Sequence, residues 1–288
     1  MDILITGILL GATYSLIAMG LTLQYGVARI MNLANGEMLV AGAFGAFWVF
    51  TAQKLSPYAS AAFVVPGAFV LNWLIYRFLL RPLVRRARSR GMLEVDSILA
   101  TFGMAFAFVG IMLLVFGGGY FTYSYLDQPF PIFGSPFGLN RVVACLVSVV
   151  LCGLLYLGLN ATRTGMAIRA VAVDPAAAAL VAIDVPRMST FAFALGGAVT
   201  AAGGIVLSTF LTMDASIGIV FTMKALIIVI MGGVGDVRGA IIASLILGLA
   251  ETAVASLIDP GLTLAAAYLL FLLVLLFRPE GLFGRRQS

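Results

Sequence analysis

Between Ile3 and Leu23 stand 21 consecutive residues without a charge. As an α-helix that run is about 32 Å long, against a bilayer hydrocarbon core of about 30 Å. Eight further apolar segments follow, at 38–52, 59–80, 98–116, 142–159, 188–211, 217–231, 240–258 and 262–277. The chain of 288 residues is 62% hydrophobic and 10% charged, where a soluble domain carries roughly 25% charged residues. So little polar surface cannot cover a soluble globule, because a chain of this size still exposes about a quarter of its surface after folding. The expected fold class is all-α: a polytopic transmembrane helical bundle of eight or nine spans with glycine-interrupted segments, residues 1–288 forming one domain. Asp2 stands where a signal peptide would be positively charged, and the first run is too long for such a peptide, so it is expected to be an uncleaved span.

The chemistry is narrowed by what the chain lacks. It contains no histidine, which removes Ser-His-Asp and Cys-His catalysis and His-ligated zinc or haem. Cys145 and Cys152 lie seven apart in one apolar run, about 10 Å of helical rise and beyond the roughly 7 Å limit for a disulfide. Lys54 and Lys224 are the only lysines, and neither stands in a phosphate-binding G-x-x-x-x-G-K-[ST] loop. No catalytic residue, metal ligand or cofactor site is expected. ATP hydrolysis would have to come from another chain.

The arginines orient the bundle. Arg81, Arg85, Arg86, Arg88 and Arg90 crowd one loop, Arg163, Arg169 and Arg187 flank another, and Arg278, Arg285 and Arg286 close the sequence. Positive charge favours the cytoplasmic side, and the number of spans between the three groups agrees with placing all of them there. The N-terminus then falls outside, in the periplasm, and the C-terminus in the cytoplasm. The 117–138 loop also falls outside, and its Tyr120, Phe121, Tyr123, Tyr125, Phe130, Phe133 and Phe137 suit an interfacial aromatic belt. The net charge of +5 is accounted for by this bias, with no nucleic-acid partner.

Two stretches break the apolar pattern. Asn32-Leu33-Ala34-Asn35-Gly36-Glu37 separates the first two spans, and Gly232-Gly233-Val234-Gly235-Asp236 follows a segment of only 15 residues. Irregular backbone at membrane depth survives only against protein or a water-filled cavity. Interrupted segments of this kind mark solute paths in transporters. Asn32, Asn35, Glu37, Gly232, Gly233, Gly235 and Asp236 are therefore candidate pathway residues, with helix N-termini able to aim N–H groups at a passing solute. The competing arrangement is an ordinary cytoplasmic hairpin turn, with Glu37 and Asp236 as helix caps in water; it weighs evenly against a pathway for the glycine run and less than a pathway for Asn32 to Glu37.

Lys224 and Glu251 are the other ionisable residues near the apolar interior, where each should face protein or water. Lys224 is placed to snorkel, and Glu251 to make a buried polar contact at a helix interface. Sequence alone shows Glu37, Lys224 and Glu251 as unpaired and scattered. Small residues four apart, Gly7, Gly11 and Ser15, then Gly197 and Ala201, and Ala198 and Ala202, indicate close helix packing.

The loop at about 160–187 is alanine-rich. Asp174 is expected to cap a short helix that starts at Pro175 and ends before Pro186. A short, mostly apolar helix on the cytoplasmic face suits a docking knob for another protein; the competing arrangement is a helix lying among headgroups, for which it carries little positive charge.

The residues resemble a known family. Gly20-Leu21-Thr22-Leu23-Gln24-Tyr25-Gly26, Asn32 to Glu37, Arg81-Pro82, Gly165 to Pro175, Met231 to Gly235, Gly239-Ala240 and Gly248-Leu249-Ala250-Glu251 are similar, in order and spacing, to the LivH-type permeases of ABC importers for branched-chain amino acids. Asn35 stands where the family usually has histidine, and Val181-Ala182-Ile183 where it usually has Leu-Gly-Ile. The resemblance implies an inner-membrane permease subunit for branched-chain amino acids or related small polar solutes. Its implied partners are a second homologous permease, two ATPase subunits and a periplasmic solute-binding protein, with ATP bound by the ATPases. By the same resemblance Gly165, Arg169, Asp174, Pro175, Ala176 and Ala177 belong to the loop that couples to the ATPases. The competing function is a stand-alone, gradient-driven transporter or channel for a small polar solute.

Overall fold

The computed structural model describes residues 2–87, 89–132 and 135–283. Arg88, Phe133, Arg285 and Arg286, named above, lie outside the described residues. Each of the nine apolar segments forms a helix. The elements are α1 (Asp2–Ala28), α2 (Asn35–Gln53), α3 (Ala61–Ile75), α4 (Arg81–Arg86), α5 (Arg90–Phe116), α6 (Leu139–Ala161), α7 (Arg163–Val173), α8 (Pro175–Leu180), α9 (Val185–Ser208), α10 (Gly218–Gly232), α11 (Val237–Leu257) and α12 (Thr263–Phe277). A π turn at Tyr76–Leu80 joins α3 to α4. A small hairpin of β1 (Pro129–Ile132) and β2 (Ser135–Gly138), paired antiparallel, precedes α6. Among the described residues, seven helical stretches are long and apolar enough to cross a bilayer, and the 15-residue α10 is a shorter apolar helix. The chain is a multi-pass helical membrane bundle.

α1 and α9 form its centre. Small residues let backbones meet there, which is how helices associate where no water drives them together. α1 runs antiparallel to α11: a side chain on Gly7 would meet Leu249 Cα at 2.8 Å, and one on Gly11 would meet Leu245 Cα at 2.7 Å. α1 also runs antiparallel to α9, with Gly20 against Gly196 and Thr200. Ser15 faces elsewhere, placing its Oγ 3.1 Å from Cys152 Sγ on α6, and Gly197 receives the Asn72 side chain of α3.

These pairings separate two ends. At one, Ala28, Ile30, Tyr76, Leu80 and Phe193 form an apolar cluster with Val84 packed against it, and the Arg29 guanidinium donates to the Ala172 carbonyl of α7 at 3.0 Å. The arginine-bearing 81–90 segment and the 163–187 loop therefore share an end. The 117–138 loop sits at the other. Its aromatics do not all lie outward as a belt: Phe121 packs on Phe44 and Phe47 of α2, and Tyr123 on Phe50. Tyr123 shares a 2.7 Å hydrogen bond with Ser208. Burial pushes its phenol up to about 12, so it stays neutral.

α2 and α10 begin inside the bundle. Phe221 stacks edge-on with Tyr14, midway along α1, and Asn35 meets Thr200 at the level of Gly20. After α9 the chain turns back, pairing Met213 with Phe121 through two backbone hydrogen bonds of 2.7 and 2.9 Å, and reaches Gly218 at depth. From there α10 runs to the arginine-bearing end, where Gly232 packs on Gly239.

Candidate functional site

The irregular segment between α1 and α2 enters the bundle from the arginine-bearing end, and its backbone groups need partners there. Arg29 leaves α1 with a left-handed φ of 56°. Asn32 Oδ1 accepts from Ala34 N at 3.0 Å, and Asn32 Nδ2 donates to Gln24 Oε1 at 2.9 Å. Gln24 in turn donates to the Phe193 carbonyl at 3.2 Å. Thr101 Oγ1 on α5 accepts from Leu33 N at 3.2 Å and lies 3.1 Å from the Met31 carbonyl. Thr222 Oγ1 on α10 accepts from Gly36 N at 2.8 Å, and Thr200 Oγ1 on α9 donates to Asn35 Oδ1 at 3.0 Å. Isolated polar side chains from four helices thus hold one non-helical stretch open at depth.

Where this stretch becomes α2, three buried polar atoms are left over. Asn35 Nδ2 and both Glu37 carboxylate oxygens are buried and have no hydrogen-bond partner. Glu37 is fully buried, in the first turn of α2, with its carboxylate against Gly218, the first residue of α10. A Cβ on Gly218 would overlap the carboxylate, so a side chain there would have to push the end of Glu37 aside. Two helix N-termini, each with the partial positive charge of unpaired N–H groups, therefore converge on one carboxylate. Glu37 is no helix cap in water: Ala34 occupies the cap position of α2, and no side chain caps it.

The glycine run lies at the far end of α10. Gly233 and Gly235 adopt φ of 104° and 81°, and Asp236 Oδ1 accepts from Gly239 N at 2.9 Å to cap α11. Gly232 packs on Gly239, and Gly235 sits beside Gly26. Asn35 and Glu37 lie at the start of α10 and Asn32 beside Gln24 of α1, whereas Gly232 ends α10 and Gly233, Gly235 and Asp236 form the tight turn after it. The two candidate pathway stretches are joined by one helix and do not meet.

Lys224 and Glu251, unpaired in sequence, are paired in space. Lys224 Nζ lies 2.8 Å from Glu251 Oε2, and Tyr14 donates to the same oxygen at 2.8 Å. Lys224 also donates to the Tyr14 hydroxyl at 2.8 Å. The lysine does not snorkel. Its charge is satisfied inside the bundle between α1, α10 and α11, where the Glu251 carboxylate offsets the cost of burying it. Among the described residues no three acidic or cysteine side chains are grouped to hold a metal ion.

At the arginine-bearing end, Thr162 Oγ1 caps α7 by accepting from Gly165 N at 3.0 Å, and Gly165 packs closely on Leu159. Asp174 Oδ1 accepts from Ala176 N at 2.9 Å and Ala177 N at 3.1 Å, capping α8 at Pro175. The α8 helix turns Ala178 inward and leaves Leu180 89% and Val181 70% exposed. Arg169, Asp174, Ala176 and Ala177 are exposed beside them. The chain leaves α8 through Ala182 in a left-handed conformation, φ 61°.

Thr101, Thr200, Thr222, Gly218 and Tyr14 belong to these sites and are not singled out by sequence reasoning, and Gln24 enters it only as part of a family motif. The signal for them is weak: each is a lone polar or small residue in an apolar run, indistinguishable from one that bonds its own helix, as Thr22 does to the Ala18 carbonyl.

The family model described as branched-chain amino acid transport system / permease component matches residues 3–278. The chain is 27% identical to the high-affinity branched-chain amino acid transport system permease protein LivH of Salmonella typhimurium, over 98% of this chain and 94% of that protein. It is 28% identical to the LivH of Escherichia coli K12 over the same shares. It is also 28% identical to the high-affinity permease protein BraD of Pseudomonas aeruginosa, over 99% of this chain and 95% of that one.

Proposed function

This chain belongs to the family of permease components of branched-chain amino acid transport systems, and we propose that it is one membrane half of an ABC importer for branched-chain amino acids or related small polar solutes. The observation that carries this reading is the set of orphaned groups at the α2–α10 junction. Asn35 Nδ2 and the Glu37 carboxylate are buried without partners, and leaving such groups unpaired costs about 1–3 kcal/mol each, more for a charge. A zwitterionic amino acid answers both, its ammonium toward Glu37 and its carboxylate toward Asn35 and the N–H groups of a first turn. Because Glu37 is fully buried, the solute reaches it only when the helices part. A closed alternating-access site would behave in this way, and transport would then need states that bind the solute differently.

The force for parting them comes from outside the chain. The exposed apolar surface of Leu180 and Val181, on a helix held by the Asp174 cap, suits a groove on an ATPase subunit at the cytoplasmic face. Gly165, Arg169, Pro175, Ala176 and Ala177 complete that docking loop, and the Arg29–Ala172 hydrogen bond connects it to α1 and the irregular segment. A second, homologous permease would close the pathway, and a periplasmic binding protein would deliver solute to the end that carries the 117–138 loop.

Proteoliposome uptake with and without the ATPase subunits and ATP tests this function. Uptake that requires both supports it. Uptake by this chain alone, driven by an ion gradient, replaces it with a secondary transporter.

A further inference from the structure

At the end that carries the arginines, the π turn and α4 border an open pocket of about 300 Å³ lined by Arg77, Phe78, Arg81, Pro82, Arg85 and Arg86. We propose that this cavity is a binding site for the phosphate of an anionic phospholipid.

Four guanidinium groups around one volume repel each other unless an anion occupies it. None of the four forms an ion pair with a described carboxylate; the ion pairs among the described residues are Arg187–Asp184 and Lys224–Glu251. Arg81 Nε is buried and has no hydrogen-bond partner, although a buried guanidinium N–H is among the costlier groups to leave unsatisfied. Arginine forks match phosphate oxygens in pairs. A widened π turn inside a continuous helix frequently marks a functional position, and here it sits in the cavity wall.

The surroundings select a lipid over a free anion. Arg77 stacks over the Trp73 ring at 4.9 Å, and tryptophan marks the headgroup level of a membrane helix. From the cavity toward the bilayer centre runs an exposed apolar strip on the same helix: Phe78 at 70%, Leu74 at 39% and Val70 at 53% exposure. Phosphate against arginine and acyl chain against this strip is the pattern of an amphiphile, and basic pockets at the ends of membrane helices bind anionic headgroups in this way.

The test is native mass spectrometry of the detergent-purified full chain, titrated with phosphatidylglycerol or with phosphatidylcholine. Phosphatidylglycerol should bind preferentially, and Arg81→Gln with Arg85→Gln should weaken it by about tenfold or more, an effect expected from removing two charge-assisted contacts. Arg141→Gln, at the opposite end, should leave binding unchanged, and Arg81→Lys with Arg85→Lys should bind between wild type and the glutamine pair, since lysine keeps the charge and loses the fork, which separates lost charge from lost folding. If the double glutamine variant does not fold, Arg85→Gln with Arg86→Gln reports on the same cavity. Equal binding of the two lipids, or equal binding by all variants, overturns the proposal. Displacement of bound lipid by millimolar inorganic phosphate shows a free-anion site and overturns the lipid assignment. Unchanged lipid binding with loss of co-purifying ATPase in the glutamine variants assigns the cavity to a protein partner and equally overturns it.

Discussion

Lys224 Nζ and Glu251 Oε2 stand 2.8 Å apart inside the bundle, and the Tyr14 hydroxyl bonds to both. Three helices that share no local sequence signal, α1, α10 and α11, are tied at one point.

Removing one member of this pair strands the other charge. Lys224→Met is expected to lower stability by about 3–5 kcal/mol, whereas Lys224→Met with Glu251→Met should recover most of the loss. Tyr14→Phe removes hydrogen bonds without exposing a charge and should cost about 1–3 kcal/mol. Thermal unfolding in detergent orders the three variants; a Lys224→Met protein as stable as wild type would show that the pair contributes nothing.

Glu37→Gln keeps the shape of the side chain and removes its charge. Membrane expression should be close to normal while uptake falls by about tenfold or more, the size expected when one charge-assisted contact to the solute is lost. Gly218→Ala brings a methyl group against the Glu37 carboxylate, which must swing aside, and should impair uptake more than expression. Normal uptake by Glu37→Gln would reduce the residue to a packing element.

Asp174 holds α8 through two backbone N–H groups. Asp174→Asn keeps a capping oxygen and should retain most uptake, while Asp174→Arg loses the cap, worth about 1 kcal/mol, and adds a charge to the face proposed to dock. Its ATP-driven uptake should drop sharply with the chain still folded and in the membrane. Wild-type transport by Asp174→Arg counts against docking through this helix.

Ala182 adopts a left-handed conformation that glycine reaches without steric cost. Its N–H bonds the Ala179 carbonyl at 3.2 Å, and the next N–H bonds that of Ala178 at 3.2 Å, closing α8 as glycine commonly does at a helix end. Ala182→Gly is expected to stabilise the chain by about 1 kcal/mol, or about 2–4 °C in unfolding midpoint. A lower midpoint would mean that the flexibility of glycine in the unfolded chain outweighs the strain.

Local features are legible in the amino-acid order. The nine apolar runs all form helices, since a run of apolar residues of the right length has few other solutions in a bilayer. The Asp174 cap is legible too, being decided by residues two and three positions away. Family membership follows from the order of short motifs along the chain.

Contacts between distant positions are not legible in this way. Glu37 meets Gly218, Gly36 bonds Thr222, and Tyr14 meets Glu251, 237 positions away. Hydrophobic periodicity reports only which way a residue faces on its own helix, and says nothing of what the opposite helix presents. Residue order is enough to put this protein in a membrane, to say where its helices run and to assign its family. It took the packing of the helices to neutralise Lys224 with Glu251 while leaving Glu37 without a partner. The fate of a buried charge depends on the group a few ångströms away across a helix interface, and no spacing along the chain encodes that neighbour.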